Sequence, residues 1–175
     1  MPNIKTAPEA FEAFLDKDSE HLFTKYRVYN EREIEAIYHI DMENYVKQVD
    51  IEARIRKDMA LTLYLPSAVA YLNELTQTVN GLKATLGKGD KSVKSLTAFT
   101  KSVALLVSKL QTEVVALDKA IATARKTDDI KKKGAAYLLV RKQGDALRQV
   151  VDDLEELVAD NLWPVPKYRD MIVGL

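Results

Sequence analysis

The segment VKSLTAFTKSVALLVSKLQTEVVALDKAIATA, Val93 to Ala124, decides the fold. Within it Val93, Leu96, Thr100, Val103, Val107, Leu110, Val114, Leu117, Ile121 and Ala124 follow one another at spacings of three and four. That is an a/d heptad seam, with Thr100 its one polar member and neither Gly nor Pro inside. At 1.5 Å per residue such a helix is about 48 Å long, and it cannot bury its seam alone. Two neighbours carry the same signature. Leu65, Ala68, Leu72, Leu75, Val79, Leu82 and Leu86 precede it; Ala136, Val140, Gln143, Leu147, Val150, Leu154 and Leu157 follow it. The fold class predicted is all-α: an elongated antiparallel helical bundle of three long heptad-patterned helices, with short N-terminal helices and an extended C-terminal tail. A single domain over 1–175 would divide into N-terminal helices (1–50), coiled-coil bundle (51–160) and tail (161–175).

Composition agrees with a soluble helical protein. The chain has 175 residues, near the size of one domain with a real core. It balances 26 basic against 26 acidic residues, whereas a nucleic-acid binder normally carries a basic excess on one face. Cysteine is absent, which excludes disulfides, thiolate metal sites and thiol chemistry. No apolar run approaches the roughly 20 residues that span a bilayer. The N-terminus lacks the apolar core of a signal peptide, so the cytoplasm is the expected compartment.

Caps and breakers place the remaining elements. Thr6-Ala7-Pro8-Glu9 reads as a capping box with proline in the first turn. Asp16 or Asp18 opens a second short helix through Leu22, Phe23 and Tyr26. Asn30 with Glu33 repeats the box and starts a longer helix whose apolar face is Ile34, Ile37, Tyr38, Met42, Tyr45 and Val49. From Ile51 the pattern is expected to run on through Ile55, Met59, Leu61 and Leu63 into the first heptad seam. Pro66 should kink it near Thr62–Leu65, because a proline removes one backbone bond and crowds the preceding turn. Gly87-Lys88-Gly89-Asp90 and Thr127-Asp128-Asp129 are turns, and Gly144 weakens the last helix by roughly 1 kcal/mol relative to Ala. An antiparallel fold would set Asp152 level with Lys109, Asp160 close to Lys101 and Glu52 level with Arg125, opposite signs meeting each time.

The tail, from Asp160 to Met171, holds the one Trp and two closely spaced prolines, Pro164 and Pro166. They favour an extended path. One reading lays Trp163 over the end of the bundle. The other makes the tail a docking segment with Trp163, Tyr168, Arg169 and Met171 as anchors, since Trp, Tyr and Arg dominate interface energetics.

Candidate chemistry is thin. Gly81 through Lys88 imitates a phosphate loop, but its spacing is one residue too long and Gly89 stands where Ser or Thr should bind magnesium. Glu35, His39 and Glu43 share one helix face as metal ligands would. A di-iron bundle, however, needs Glu-x-x-His motifs that neither histidine completes, so a solvated face explains them. Lys131-Lys132-Lys133 lies beside Asp128 and Asp129 and reads as a solvated turn. No catalytic, cofactor-binding or metal residue is assigned.

Two stretches resemble a known family. Asn44-Tyr45-Val46-Lys47-Gln48-Val49-Asp50-Ile51-Glu52-Ala53 is similar to the Glu-Asn-Tyr-x-Lys-x-x-x-Ile-Glu-Ala stretch of the type III glutamine synthetases. Leu162 to Met171 resembles the segment with which those enzymes end. Asp58-Met59-Ala60, Leu65-Pro66-Ser67-Ala68 and the opening Met1-Pro2-Asn3-Ile4-Lys5-Thr6-Ala7-Pro8-Glu9-Ala10, which is similar to the junction after the catalytic region, add to the likeness, which is weakest between Thr76 and Leu139. The resemblance implies a non-catalytic C-terminal helical domain with a structural or assembly role. The parent activity would be ATP-dependent ligation of glutamate and ammonia, in a double-ring dodecamer. ATP and Mg would be bound upstream, with no cofactor in this chain. Its partners would be the catalytic domain and neighbouring subunits, not nucleic acid or membrane. The alternative is a free-standing coiled-coil adaptor without enzymatic activity.

Overall fold

The computed structural model describes residues 4–173; Met1-Pro2-Asn3 of the opening motif, and Gly174 and Leu175 of the tail region, lie outside them. The described residues contain no strand. Seven α-helices follow in order: α1 (Ala7–Glu12), α2 (Lys17–Lys25), α3 (Glu31–Met59), α4 (Leu65–Leu86), α5 (Lys91–Arg125), α6 (Ile130–Leu157) and α7 (Tyr168–Val173). The all-α class and the three long heptad helices are as the sequence predicts. No helix among the described residues is long and apolar enough to cross a membrane.

Helix starts obey local chemistry. Asn30 and Glu33 form a reciprocal box: the Glu33 N–H donates to Asn30 Oδ1 at 3.0 Å and the Asn30 N–H to Glu33 Oε2 at 2.8 Å. At α1 the box is displaced. Thr6 Oγ1 accepts from the Glu9 N–H at 3.4 Å, but Glu9 reaches past Thr6 to the Lys5 N–H at 2.9 Å. Asp90 and Asp129 cap α5 and α6, accepting from the N–H groups of Ser92 and Lys132 at 2.8 Å each.

The chain forms two compact units. The first comprises residues 1–54 and 119–142. Its core is Ile34, Tyr38, Met42, Tyr45, Val46, Val49 and Ala53 of α3, Ile121 and Ala124 of α5, and Tyr137 and Val140 of α6. Gly134 lets α6 approach α3 closely, since a Cβ there would lie 2.4 Å from Met42 Sδ. Asp50 ties the three helices together. It receives Arg125 Nε at 2.9 Å and Nη2 at 2.7 Å, the Tyr137 hydroxyl at 2.9 Å and Arg54 Nε at 3.1 Å. Its carboxyl is held below the usual range first by the Arg125 hydrogen bonds, then by that from Tyr137, against the opposing effect of burial. Arg125 thus pairs with Asp50 rather than Glu52, which instead takes the Gln48 amide.

The second unit comprises residues 55–118 and 143–175. Here α5 buries Val93, Val103, Val107, Leu110, Val114 and Leu117, and α6 buries Leu147, Val150 and Leu154, with Val158 buried just beyond its end. The Gln143 amide donates to Glu113, as α6 folding back along α5 requires. Arg56 meets Asp145 and Lys57 meets Asp118. The α4 seam is shallower: Ala68 and Val79 are buried, while Leu72, Leu75 and Leu82 are half-covered and Leu86 is exposed.

Pro66 is accommodated by a π-helical turn, Ala60–Tyr64, in which the Leu65 N–H bonds to the Ala60 carbonyl. The wider ring absorbs the local disruption, and Ser67 Oγ donates to the Leu63 carbonyl at 2.9 Å. The irregularity falls where the sequence predicts a kink. The apolar face predicted through Ile51, Ile55 and Leu61 is not buried, for all three are exposed. The buried stripe passes through Ala53 and Ala60, which sit at helical spacing from Val49; Ile51 lies across the helix from it.

Candidate functional site

The C-terminal segment of the second unit gathers the polar chemistry that the heptads leave out. After α6 the chain makes one 3₁₀ turn, Asp160–Leu162, and Trp163 continues in extended backbone at φ −77° and ψ 125°. Residues 163–167, with Pro164 and Pro166, stay out of helix and bend at Pro164 and Val165; from Tyr168 the tail, expected to be extended, turns helical again as α7. Trp163 is 7% exposed and stacks on Tyr64, with centroids 5.2 Å apart and planes at 27°. Its indole N–H is buried and finds no acceptor among the described residues. Burying a side chain of this kind is worth roughly 2–3 kcal/mol, enough to hold the tail against the bundle.

Lys167 locks that arrangement. It is 7% exposed, and its Nζ donates to the Val158 carbonyl at 2.6 Å, just past the end of α6. The same ammonium lies 2.9 Å from Asp160 Oδ1 and 5.9 Å from the Trp163 ring centroid. An orphan carbonyl at a helix C-terminus is where a cation is stabilised by the helix dipole. The Lys167 N–H donates to Asp170 Oδ2 at 3.0 Å, so Asp170 caps α7 by reaching back. Hydrogen bonds from Lys167 and then Arg169 keep the Asp160 carboxyl below its usual range.

The predicted docking residues separate into two groups. Trp163 is packed inward. Tyr168, Arg169 and Met171 are exposed, Met171 at 62%. Tyr168 is oriented on its inner side: its N–H donates to Glu155 Oε1 at 2.7 Å, and its hydroxyl accepts from Arg148 Nη2 at 2.6 Å. Arg169 pairs with Asp160. Asp152 and Asp160, placed by the sequence opposite Lys109 and Lys101, are therefore engaged by Arg148 and the tail. Beside α7 opens a groove of about 350 Å³ whose apolar wall includes Met59, Tyr64, Val151, Val165, Pro166 and Met171, with Arg56 and Arg148 at its polar edge.

Sequence reasoning missed Lys167, Tyr64 and Arg148. A lysine inside an apolar, proline-flanked run directly after a helix was the available signal for the first. Glu35, His39 and Glu43 are exposed on α3, and no group of three potential ligands in metal-holding geometry occurs among the described residues. Lys131 bonds Glu12 at 2.8 Å.

Comparison with known proteins supplies what the geometry leaves open. Residues 1–83 match the family model of the glutamine synthetase C-terminal domain. Over 98% of its length the chain is 29% identical to a glutamine synthetase of Bacteroides fragilis, spanning 24% of that protein. It is 25% identical to a type-3 glutamine synthetase of Dictyostelium discoideum over 98% of its length, again 24% of the relative. A glutamine synthetase of Butyrivibrio fibrisolvens is 27% identical over all of this chain and 25% of its own. The chain thus spans about a quarter of the length of these relatives, at their C-terminal end.

Proposed function

We propose, from the match of residues 1–83 to the family model of the glutamine synthetase C-terminal domain, that this chain is the non-catalytic assembly domain of a glutamate–ammonia ligase. The observation that carries the reading is the pinned tail. Lys167 and Trp163 fix its base, while Tyr168, Arg169 and Met171 are left facing outward beside a largely apolar groove. These are the side chains that anchor interfaces. Their partner is the catalytic region of the same enzyme or of a neighbouring subunit. ATP and magnesium act in that region, where the γ-phosphate is polarised and the phosphoryl group is transferred to glutamate; this chain contributes no catalytic residue and no cofactor ligand. The protein works in the cytoplasm, away from membrane and nucleic acid.

The test has two arms. The purified 175-residue chain, given glutamate, ammonia, ATP and magnesium, is expected to form no glutamine; turnover above background refutes the placement of the chemistry upstream. In the full-length enzyme, replacing Tyr168, Arg169 and Met171 together by alanine should reduce the size of the oligomer. An unchanged oligomer with unchanged activity removes the docking role.

A further inference from the structure

The N-terminal part of the first unit exposes a second apolar surface that the tail does not explain. Between Glu9 and Glu33 no residue is buried, although this stretch contains the last turn of α1, all of α2 and the connections on either side of it. Leu22 is 53% exposed, Val28 56% and Tyr26 67%, with Leu15 and Tyr29 also open. The rings among them pack on one another. Phe14 stacks on Phe23 at 5.7 Å, and Phe23 meets Tyr29 edge-on at 5.6 Å. The patch is therefore a continuous aromatic cluster with one side covered by nothing among the described residues. Surfaces of that kind mark interaction sites.

The backbone adds an independent sign. α2 ends in a Schellman motif: the Arg27 N–H bonds to the Thr24 carbonyl at 3.1 Å and the Val28 N–H to the Phe23 carbonyl at 2.9 Å. Its left-handed position, at φ +57°, is held by Arg27, where glycine would fit without strain. Arg27 is exposed and has no carboxylate partner among the described residues. A strained arginine between two exposed aromatics, Tyr26 and Tyr29, is an interface residue in type and in placement.

We propose that this α1–α2 surface docks intramolecularly onto the polypeptide that precedes it in the full-length enzyme, against an apolar face carrying a carboxylate for Arg27. The inference rests on the reading given under Proposed function. The relatives are about four times longer than this chain, which aligns with their C-terminal end. Their remaining length therefore joins next to α1. The patch begins at Phe14 and Leu15, about 13 residues from that junction, so the preceding domain is presented to it at the high effective concentration of a short tether. A distant or separate partner has no such advantage.

The experiment uses the full-length enzyme with the photoreactive amino acid p-benzoylphenylalanine in place of Tyr26. Adducts are expected within one polypeptide, to peptides upstream of residue 1. Adducts confined to residues 1–175, adducts joining two copies of that region, or no adduct at all overturn the proposal. In parallel, amides of residues 14–29 should exchange at least about tenfold more slowly in the full-length enzyme than in the 175-residue chain, a factor equivalent to about 1.4 kcal/mol. Leu22→Ser with Tyr26→Ser should abolish the difference. Arg27→Gly should weaken the protection while leaving the isolated chain no less stable, which a merely structural role for Arg27 does not predict. Equal exchange in the two proteins, with the oligomer still sensitive to the tail substitutions, overturns this proposal and leaves the assembly reading standing; a ligase whose oligomer ignores the tail does the reverse.

Discussion

Replacing Asp50 by asparagine should destabilise the first unit by about 2–3 kcal/mol. The carboxylate accepts two bonds from Arg125, at 2.9 and 2.7 Å, and one from Tyr137 at 2.9 Å. Asparagine keeps one acceptor oxygen and turns an NH₂ group towards donors. If its oxygen takes the place of Oδ1 it keeps Tyr137 and Arg125 Nε, and the amide faces Arg125 Nη2; if it takes the place of Oδ2 it keeps Nη2 alone, and the Tyr137 hydroxyl loses its acceptor. The two losses differ. Arg125 is 49% exposed at its side chain and can turn to water, so its bonds return little of their gross strength. Tyr137 is 2% exposed, and a buried unsatisfied hydroxyl costs about 1–3 kcal/mol. Equilibrium urea unfolding followed by circular dichroism reads the change; with a slope of about 2 kcal/mol per molar the midpoint should fall by about 1 M. Tyr137→Phe alone should cost about 1 kcal/mol. The two substitutions should be less than additive, because each removes the same bond. A loss below about 0.5 kcal/mol for Asp50→Asn, or strict additivity, refutes the reasoning. Asp118→Asn, at a bridge with a 60% exposed carboxylate, is the control and should cost under about 0.5 kcal/mol.

The same carboxylate sets a pH dependence. Because its folded pKa is lowered, its stabilisation is full above the ordinary value near 3.8 and lost as pH falls below it, so an acid titration of stability should be shallower in Asp50→Asn. The two glycines of α6 should behave oppositely. Gly134→Ala drives a methyl into fully buried Met42 and should cost about 1–3 kcal/mol, whereas at Gly144 the nearest atom is the mobile Arg56 guanidinium, 2.7 Å away, and alanine should stabilise by about 0.5 kcal/mol; thermal melts that rank them the other way would defeat this account. Arg27→Gly relieves a left-handed side chain and should stabilise the isolated chain by about 0.5–1 kcal/mol, a destabilisation being the contrary result. Tryptophan emission from Trp163 should lie well to the blue of free indole and shift red in Lys167→Met, since the ammonium anchors the segment that covers the ring; emission typical of indole in water, in the parent chain, would contradict the packing.

The sequence reading of the long helices succeeded where periodicity and burial coincide. Seven of the ten seam positions named between Val93 and Ala124 are fully or nearly fully buried, and an eighth, Val107, is buried at 8% exposure. It failed where apolarity was taken for burial. Ile51 and Ile55 face solvent because the stripe set by Val46 and Val49 continues through Ala53, a residue too small to dominate a hydropathy reading but well suited to close helix contact. On α6 the reading chose Ala136 and Leu157, whereas Tyr137 and Val158 are the residues buried at those ends. One step around a helix is 100°, and a seam with irregular spacing cannot be phased from its ends.

The tail shows a different boundary of legibility. Its prolines and its tryptophan are visible as composition, and they predict the extended path and the anchor. What fixes the segment is Lys167, whose apolar, proline-flanked setting signals burial but does not name the oxygens its ammonium meets. Its ammonium enters an otherwise apolar junction because two oxygens wait there, the Val158 carbonyl left free by the end of α6 and the Asp160 carboxylate. Neither is a motif in sequence, since the carbonyl belongs to every residue and becomes a site only when a helix stops. Stopping the helix is the task of the segment from Ala159, whose backbone at ψ 142° leaves helical space. The lysine therefore reads the secondary structure rather than the sequence. Its role follows from where α6 ends, and the outward setting of Tyr168, Arg169 and Met171 follows from the lysine.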